Sequence, residues 1–145
     1  VQVDFYQLAG TPVETVVPQL AAKVLESGER LLIVAGEERL RTLLDEALWT
    51  HDPTSFLPHG SDADERAAHQ PILLSDKPEA ANEARFVMLA DGAWRDEALG
   101  FERVFYLFDA DRLDDARTAW RSLAEKDGVE PRYWKQEAGR WRQGP

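Results

Sequence analysis

Residues 31–49, LLIVAGEERLRTLLDEALW, decide the fold class. Leu31 to Ala35 is a continuous apolar run, the pattern of a central strand covered on both faces. Gly36 then opens a helix. Leu40, Leu43, Leu44, Ala47 and Leu48 recur at three- and four-residue steps, and Trp49 sits in the last turn. The same order stands upstream. Val1 to Tyr6 alternates apolar and polar as a strand does, and Gly10 with Pro12 marks a turn. Thr11 is the candidate helix N-cap ahead of Glu14. Val16, Val17, Leu20, Ala21, Val24 and Leu25 then line one helical face, which Gly28 closes. Pro18 fits if that helix starts near Val16 or Val17; a start at Thr11 demands a kink. Strand, helix, strand, helix predicts parallel pairing with crossover connections. The expected fold is α/β: a single Rossmann-like domain with a mostly parallel central sheet flanked by helices.

Downstream, Pro71–Leu74, Arg85–Leu89 and Phe101–Phe108 read as further strands. A last helix follows, capped by Asp109 or Asp111 and ended by Gly128. Its acidic first turn (Asp111, Asp114, Asp115) and basic later part complement the helix dipole. Pro131 to Glu137 reads as a final strand, with Pro131 suited to an edge or a strand start. Residues 59–70 read as an exposed polar loop, and 138–145 as an irregular tail anchored by Trp141.

At 145 residues the chain is one domain over 1–145, large enough to bury a core. No apolar run approaches the roughly 20 residues that span a bilayer, so no membrane association is expected. The opening VQVDFY is a strand pattern rather than a signal peptide. With zero Cys there is neither disulfide framework nor thiolate chemistry, which suits a cytoplasmic address. A net charge of −10 argues against strong direct binding to nucleic acid. The charge is uneven, however. Residues 1–100 hold 8 Lys/Arg against 18 Asp/Glu, whereas residues 116–145 hold 7 against 4. An acidic body with one basic end suits a small acidic ligand better than a long polyanion.

Gly36 after an apolar strand invites a nucleotide-binding reading, but LLIVAGEERL carries a single glycine and neither phosphate-cradling motif. There is no nucleotide-binding loop, and no cofactor is expected. His51, His59 and His69 lie near Asp52, Asp62 and Asp64 without ligand spacing, so no metal site is expected. Neighbouring Asp45 and Glu46 diverge by about 100° on a helix and cannot act as a catalytic pair. The alternative in another class is a small α/β hydrolase-like enzyme using the His-containing 51–69 loop. The last helix offers a different chemistry. Arg117 and Arg121 are four residues apart on one face, with Trp120 beside them. Two guanidiniums near an indole grip a carboxylate and close an apolar slot next to it.

Residues 43–60, LLDEALWTHDPTSFLPHG, carry Phe56, Leu57 and Pro58 in a stretch that is otherwise a polar loop. Such a patch is either folded onto a core or held out for a partner; partial exposure as a partner patch is the expectation. LDEALW followed by SFLPHG resembles the signature of the chi subunit of bacterial DNA polymerase III. The opening QVDFYQL, the strand LLIVAG, and FERVFYLFD followed by ARTAWR resemble the same family in the same order. The resemblance implies a non-catalytic replicase adaptor that links the clamp loader to single-stranded DNA-binding protein by binding that protein's acidic C-terminal tail. It carries Trp49, Arg117, Trp120 and Arg121 into the tail site; Trp120 and Arg121 stand where other members have Tyr and Lys. It also implies a contact to the psi subunit, or another clamp-loader subunit, through Phe56 with Leu57 and Pro58.

Overall fold

The computed structural model describes residues 1–51, 57–137 and 140–144. In chain order its regular elements are β1 (Gln2–Gln7), α1 (Val13–Glu26), β2 (Leu31–Val34), α2 (Glu38–Thr50), β3 (His59–Ser61), β4 (Ile72–Ser75), β5 (Phe86–Leu89), β6 (Arg103–Phe108), α3 (Leu113–Ala124), β7 (Glu130–Glu137) and β8 (Arg140–Gln143). The strands form one sheet in the order β3-β4-β2-β5-β6-β1-β7-β8. Every pairing is parallel except the β7–β8 hairpin. The fold is the expected α/β domain.

Helices cover both faces. Val16, Val17, Leu20 and Val24 of α1 and Leu44 and Leu48 of α2 pack on Leu31, Ile33, Ile72, Leu74 and Met88. On the opposite face, Ala116, Ala119 and Leu123 of α3 pack against a core that includes Val3, Phe5, Val104, Tyr106 and Phe108. Such continuous burial explains why β2 and β6 read as unbroken apolar runs. At the end of α1, Gly28 takes φ +84°. Its N–H reaches the Leu25 carbonyl and the Glu29 N–H reaches that of Val24, the paired bonds of a Schellman C-cap. The other end differs from expectation. Pro12, not Thr11, occupies the N-cap in an extended conformation without a side-chain cap bond. Pro18 therefore lies one turn inside, where its missing N–H forgoes one intrahelical bond.

Three stretches depart from the polar pattern of the sequence. Asp4, the polar member of the β1 alternation, is fully buried. Its carboxylate accepts from Arg103 Nε at 2.8 Å, Gln2 Nε2 at 2.9 Å and Trp134 Nε1 at 3.1 Å, so the buried charge is both paired and hydrogen-bonded. The 59–70 stretch is not wholly loop, because β3 forms the sheet edge beside β4 and buries His59. The 138–145 stretch is not irregular either. Residues 140–143 form β8, and Trp141 packs edge-on against Tyr6, with ring centroids 5.0 Å apart.

Candidate functional site

The site is built on α3 and β7. Asp109 Oδ1 accepts from the Asp111 N–H at 3.0 Å and starts a single 3-10 turn, from which α3 continues without a side-chain cap of its own. The apolar stripe Ala116–Ala119–Leu123 seats α3 on the sheet, and the residues flanking that stripe reach the rim. Trp120 is half-buried against Phe5 and Tyr133, its ring centroid 5.2 and 5.6 Å from theirs. Arg117 and Arg121 project beside it. Facing them across the groove, β7 contributes Tyr133 and Lys135, and Gln7 closes the end of β1. Together with Leu113 these residues line a groove of about 320 Å³.

Tyr133 is locked in place, its hydroxyl donating to Gln7 Oε1 at 2.6 Å. Burial pushes its phenol pKa up, with the nearby Arg117 charge pulling against it. The three cations are different. Among the described residues, none of Arg117, Arg121 and Lys135 has a carboxylate at ion-pair distance. Lys135 Nζ instead lies 6.0 Å from the Tyr133 ring centroid. The groove thus presents three positive charges around an aromatic slot. That arrangement is chemically suited to an anion joined to an apolar group.

Two other concavities show what this combination requires. A larger cavity of about 490 Å³ lies under α1 on the opposite face, lined by Tyr6, Phe105, Trp134 and Trp141. Its Arg103 is already matched by buried Asp4 and its Glu29 by Arg85, which leaves Lys23 as its one cation without an ion pair among the described residues. The crevice at the carboxyl ends of the strands, where open α/β sheets usually receive ligands, is smaller, about 220 Å³. There Asp91 supplies an internal anion. Its carboxylate takes the Gly36 N–H at 2.9 Å, the Ala93 N–H at 3.2 Å and both Nη atoms of Arg95 at 2.9 and 2.8 Å. Burial opposes ionisation of Asp91, yet Arg95 and the two backbone donors hold its pKa below the usual carboxylate range. The N–H after β2 that would meet a phosphate is already occupied.

The structure brings Arg117, Trp120 and Arg121 together and leaves Trp49 elsewhere. Trp49 ends α2 on the opposite face of the sheet, 51% exposed, with its ring centroid 4.5 Å from that of His59 in β3. Six inter-strand steps separate β3 from β7, on the order of 29 Å at about 4.8 Å per step. A four-residue site including Trp49 is therefore not formed. The partner patch changes too. Phe56 lies outside the described residues. Leu57 is 3% exposed and belongs to the core, so its side chain is not a contact surface. Pro58 is half-buried.

His59, expected in an exposed loop, is buried. Nδ1 contacts the Leu57 carbonyl at 2.7 Å and Nε2 contacts Asp45 Oδ1 at 2.8 Å. With both ring nitrogens engaged, it offers neither to a substrate. Among the described residues no group of three His, Cys, Asp or Glu is placed to hold a metal. No helix among them is long and apolar enough to cross a membrane. The residues the sequence did not single out are Gln7, Tyr133 and Lys135. They come from strands, and only the register of β1, β7 and β8 reveals that they face α3.

These features define a Rossmann-like α/β domain whose usual ligand crevice is filled from within and whose open groove is cationic and aromatic. The sequence matches the family profile of the DNA polymerase III chi subunit, HolC, over residues 1–131, and the chain belongs to that family. It is 35% identical over 63 residues to the DNA polymerase III subunit chi of Haemophilus influenzae (strain ATCC 51907 / DSM 11121 / KW20 / Rd), covering 43% of this chain and 44% of the relative. It is 30% identical over 78 residues to that of Escherichia coli (strain K12), covering 54% and 53%. A probable subunit chi of Rickettsia prowazekii (strain Madrid E) is 30% identical over 71 residues, covering 49% and 43%. The chain thus spans about half the length of the curated relatives it matches.

Proposed function

We propose that this chain is a non-catalytic adaptor of the replicase that binds the acidic C-terminal tail of single-stranded DNA-binding protein in the α3–β7 groove. The observation that carries this reading is the set of three cations around Trp120 and Tyr133 that have no acidic partner among the described residues, in a chain whose net charge is −10. A terminal carboxylate needs fixed donors, which Arg117 and Arg121 supply from one helical face. The apolar side chain next to it needs a dry wall, which Trp120 and Tyr133 provide. The clamp-loader contact, to psi or another subunit, belongs to the far end of the sheet, on the surface around Trp49 and Pro58. An adaptor with its two contacts at opposite ends holds two partners at once.

Calorimetric titration with a short acidic peptide ending in a free apolar residue tests the groove. Saturable binding is expected, weakened by salt and by amidation of the peptide's C-terminus. Arg117→Ala is expected to weaken it by about tenfold, within the range typical of charged hydrogen bonds. Equal binding by wild type and Arg117→Ala would remove the groove from the account.

A further inference from the structure

The α3–β7 groove is bounded on one side by the β7–β8 hairpin, whose register places Lys135 opposite Arg142 and Glu137 opposite Arg140. Residues alternate between the two faces of a strand. Tyr133 packs with the α3 face, while Trp134 and Trp141 pack with the α1 face. Lys135, Arg140 and Arg142 therefore lie on the groove's side of the sheet. Arg140 has no carboxylate at ion-pair distance among the described residues. The Arg142 side chain is 76% exposed, and its one ion pair, to Glu137 at 3.3 Å, is a surface contact of the kind a ligand readily displaces.

The other exits carry the wrong sign for an acidic chain. At the start of α3 stand Asp109, Asp111, Asp114 and Asp115, with Arg112 matched only to Asp115. Past its end stand Glu125 and Asp127 against Lys126, while Glu130 is paired with Arg132 at 3.5 Å. Among the described residues, the net negative charge at both ends leaves the hairpin as the positive route out of the groove.

We propose that the β7–β8 hairpin is a cationic track for the acidic residues preceding the ligand's C-terminus, so that the peptide crosses Arg140, Arg142 and Lys135 and ends between Arg117 and Arg121. This rests on the groove reading above and adds the direction of the bound chain. Lys135 and Arg142 are one inter-strand step apart, so three or four acidic residues, about 10–14 Å of extended chain, are enough to cross both.

The test uses two peptides with the same free apolar C-terminus, one preceded by four aspartates and the other by four serines, titrated into three proteins. The proteins are the wild type, Arg117→Ala, and the double variant Arg140→Ala with Arg142→Ala. The double variant is expected to weaken the aspartate peptide by about threefold to tenfold, leave the serine peptide unchanged, and flatten the salt dependence. Arg117→Ala is expected to weaken both peptides. A second double variant, Arg140→Lys with Arg142→Lys, is expected to restore aspartate-peptide binding, which a merely structural role for the arginines would not require. If the alanine double variant binds the aspartate peptide as the wild type does while Arg117→Ala fails, the track is wrong and the groove stands. If neither peptide binds the wild type, groove and track fall together.

Discussion

The carboxyl-end crevice and the α3–β7 groove both gather cations at a concave surface, and they use them in opposite ways. In the crevice, Asp91 satisfies Gly36, Ala93 and Arg95 from within the chain. In the groove, Arg117, Arg121 and Lys135 have no carboxylate at ion-pair distance among the described residues. The location that the architecture favours for ligands is thus closed by a side chain, and an open cationic site has been built on a different surface. Fold-level analogy alone would direct attention to the concavity that Asp91 fills.

The largest effect expected from breaking this contrast is at Asp91. Asp91→Ala strands Arg95 and two backbone N–H groups, so urea unfolding should show a loss of about 2–4 kcal/mol. Tail-peptide affinity should be unchanged, and sulfate should stabilise the variant more than the wild type by taking the vacated anion position. Because the folded-state pKa of Asp91 is depressed, its contribution is present above the unfolded carboxylate value of about 3.9 and is lost as pH falls through the lower folded value. Stability measured from pH 6 down to pH 2 should therefore show an acid-side loss that Asp91→Asn lacks.

Next in size is Leu57. As a core residue, Leu57→Ala should cost about 2–3 kcal/mol of stability without affecting the tail peptide. A neutral effect on unfolding would return Leu57 to the role of an exposed partner contact. The smallest effect is at Trp49, where Trp49→Ala should change tail-peptide affinity by less than about twofold, because distant sites without shared partners act independently.

Much of this architecture was legible in the sequence. LLIVA announced β2, the Leu40–Leu48 periodicity announced α2, and Gly28 marked the end of α1. The pairing of Arg117 with Arg121 followed from helical spacing alone. What escaped depends on contacts distant in the chain. Asp4 looks like a solvent-facing residue until Arg103 and Trp134 meet it across two strand pairings. β8 is a run of Arg-Trp-Arg-Gln with too little apolar content to read as a strand; Trp141 on Tyr6 and the pairing with β7 form it. Tyr133 and Lys135 depend on register. Trp49 was placed with the arginines by family resemblance, but strand order sends α2 and β3 to the far end of the sheet.

The most direct test of the central claim is to follow the five tryptophan indole N–H resonances of the ¹⁵N-labelled chain while adding the acidic tail peptide. The Trp120 signal is expected to move saturably, the Trp49 signal to stay in place, and Arg117→Ala to shift the Trp120 curve to higher peptide concentration. A saturable shift of Trp49 with Trp120 unmoved would contradict the central claim and place the tail at the other end of the sheet.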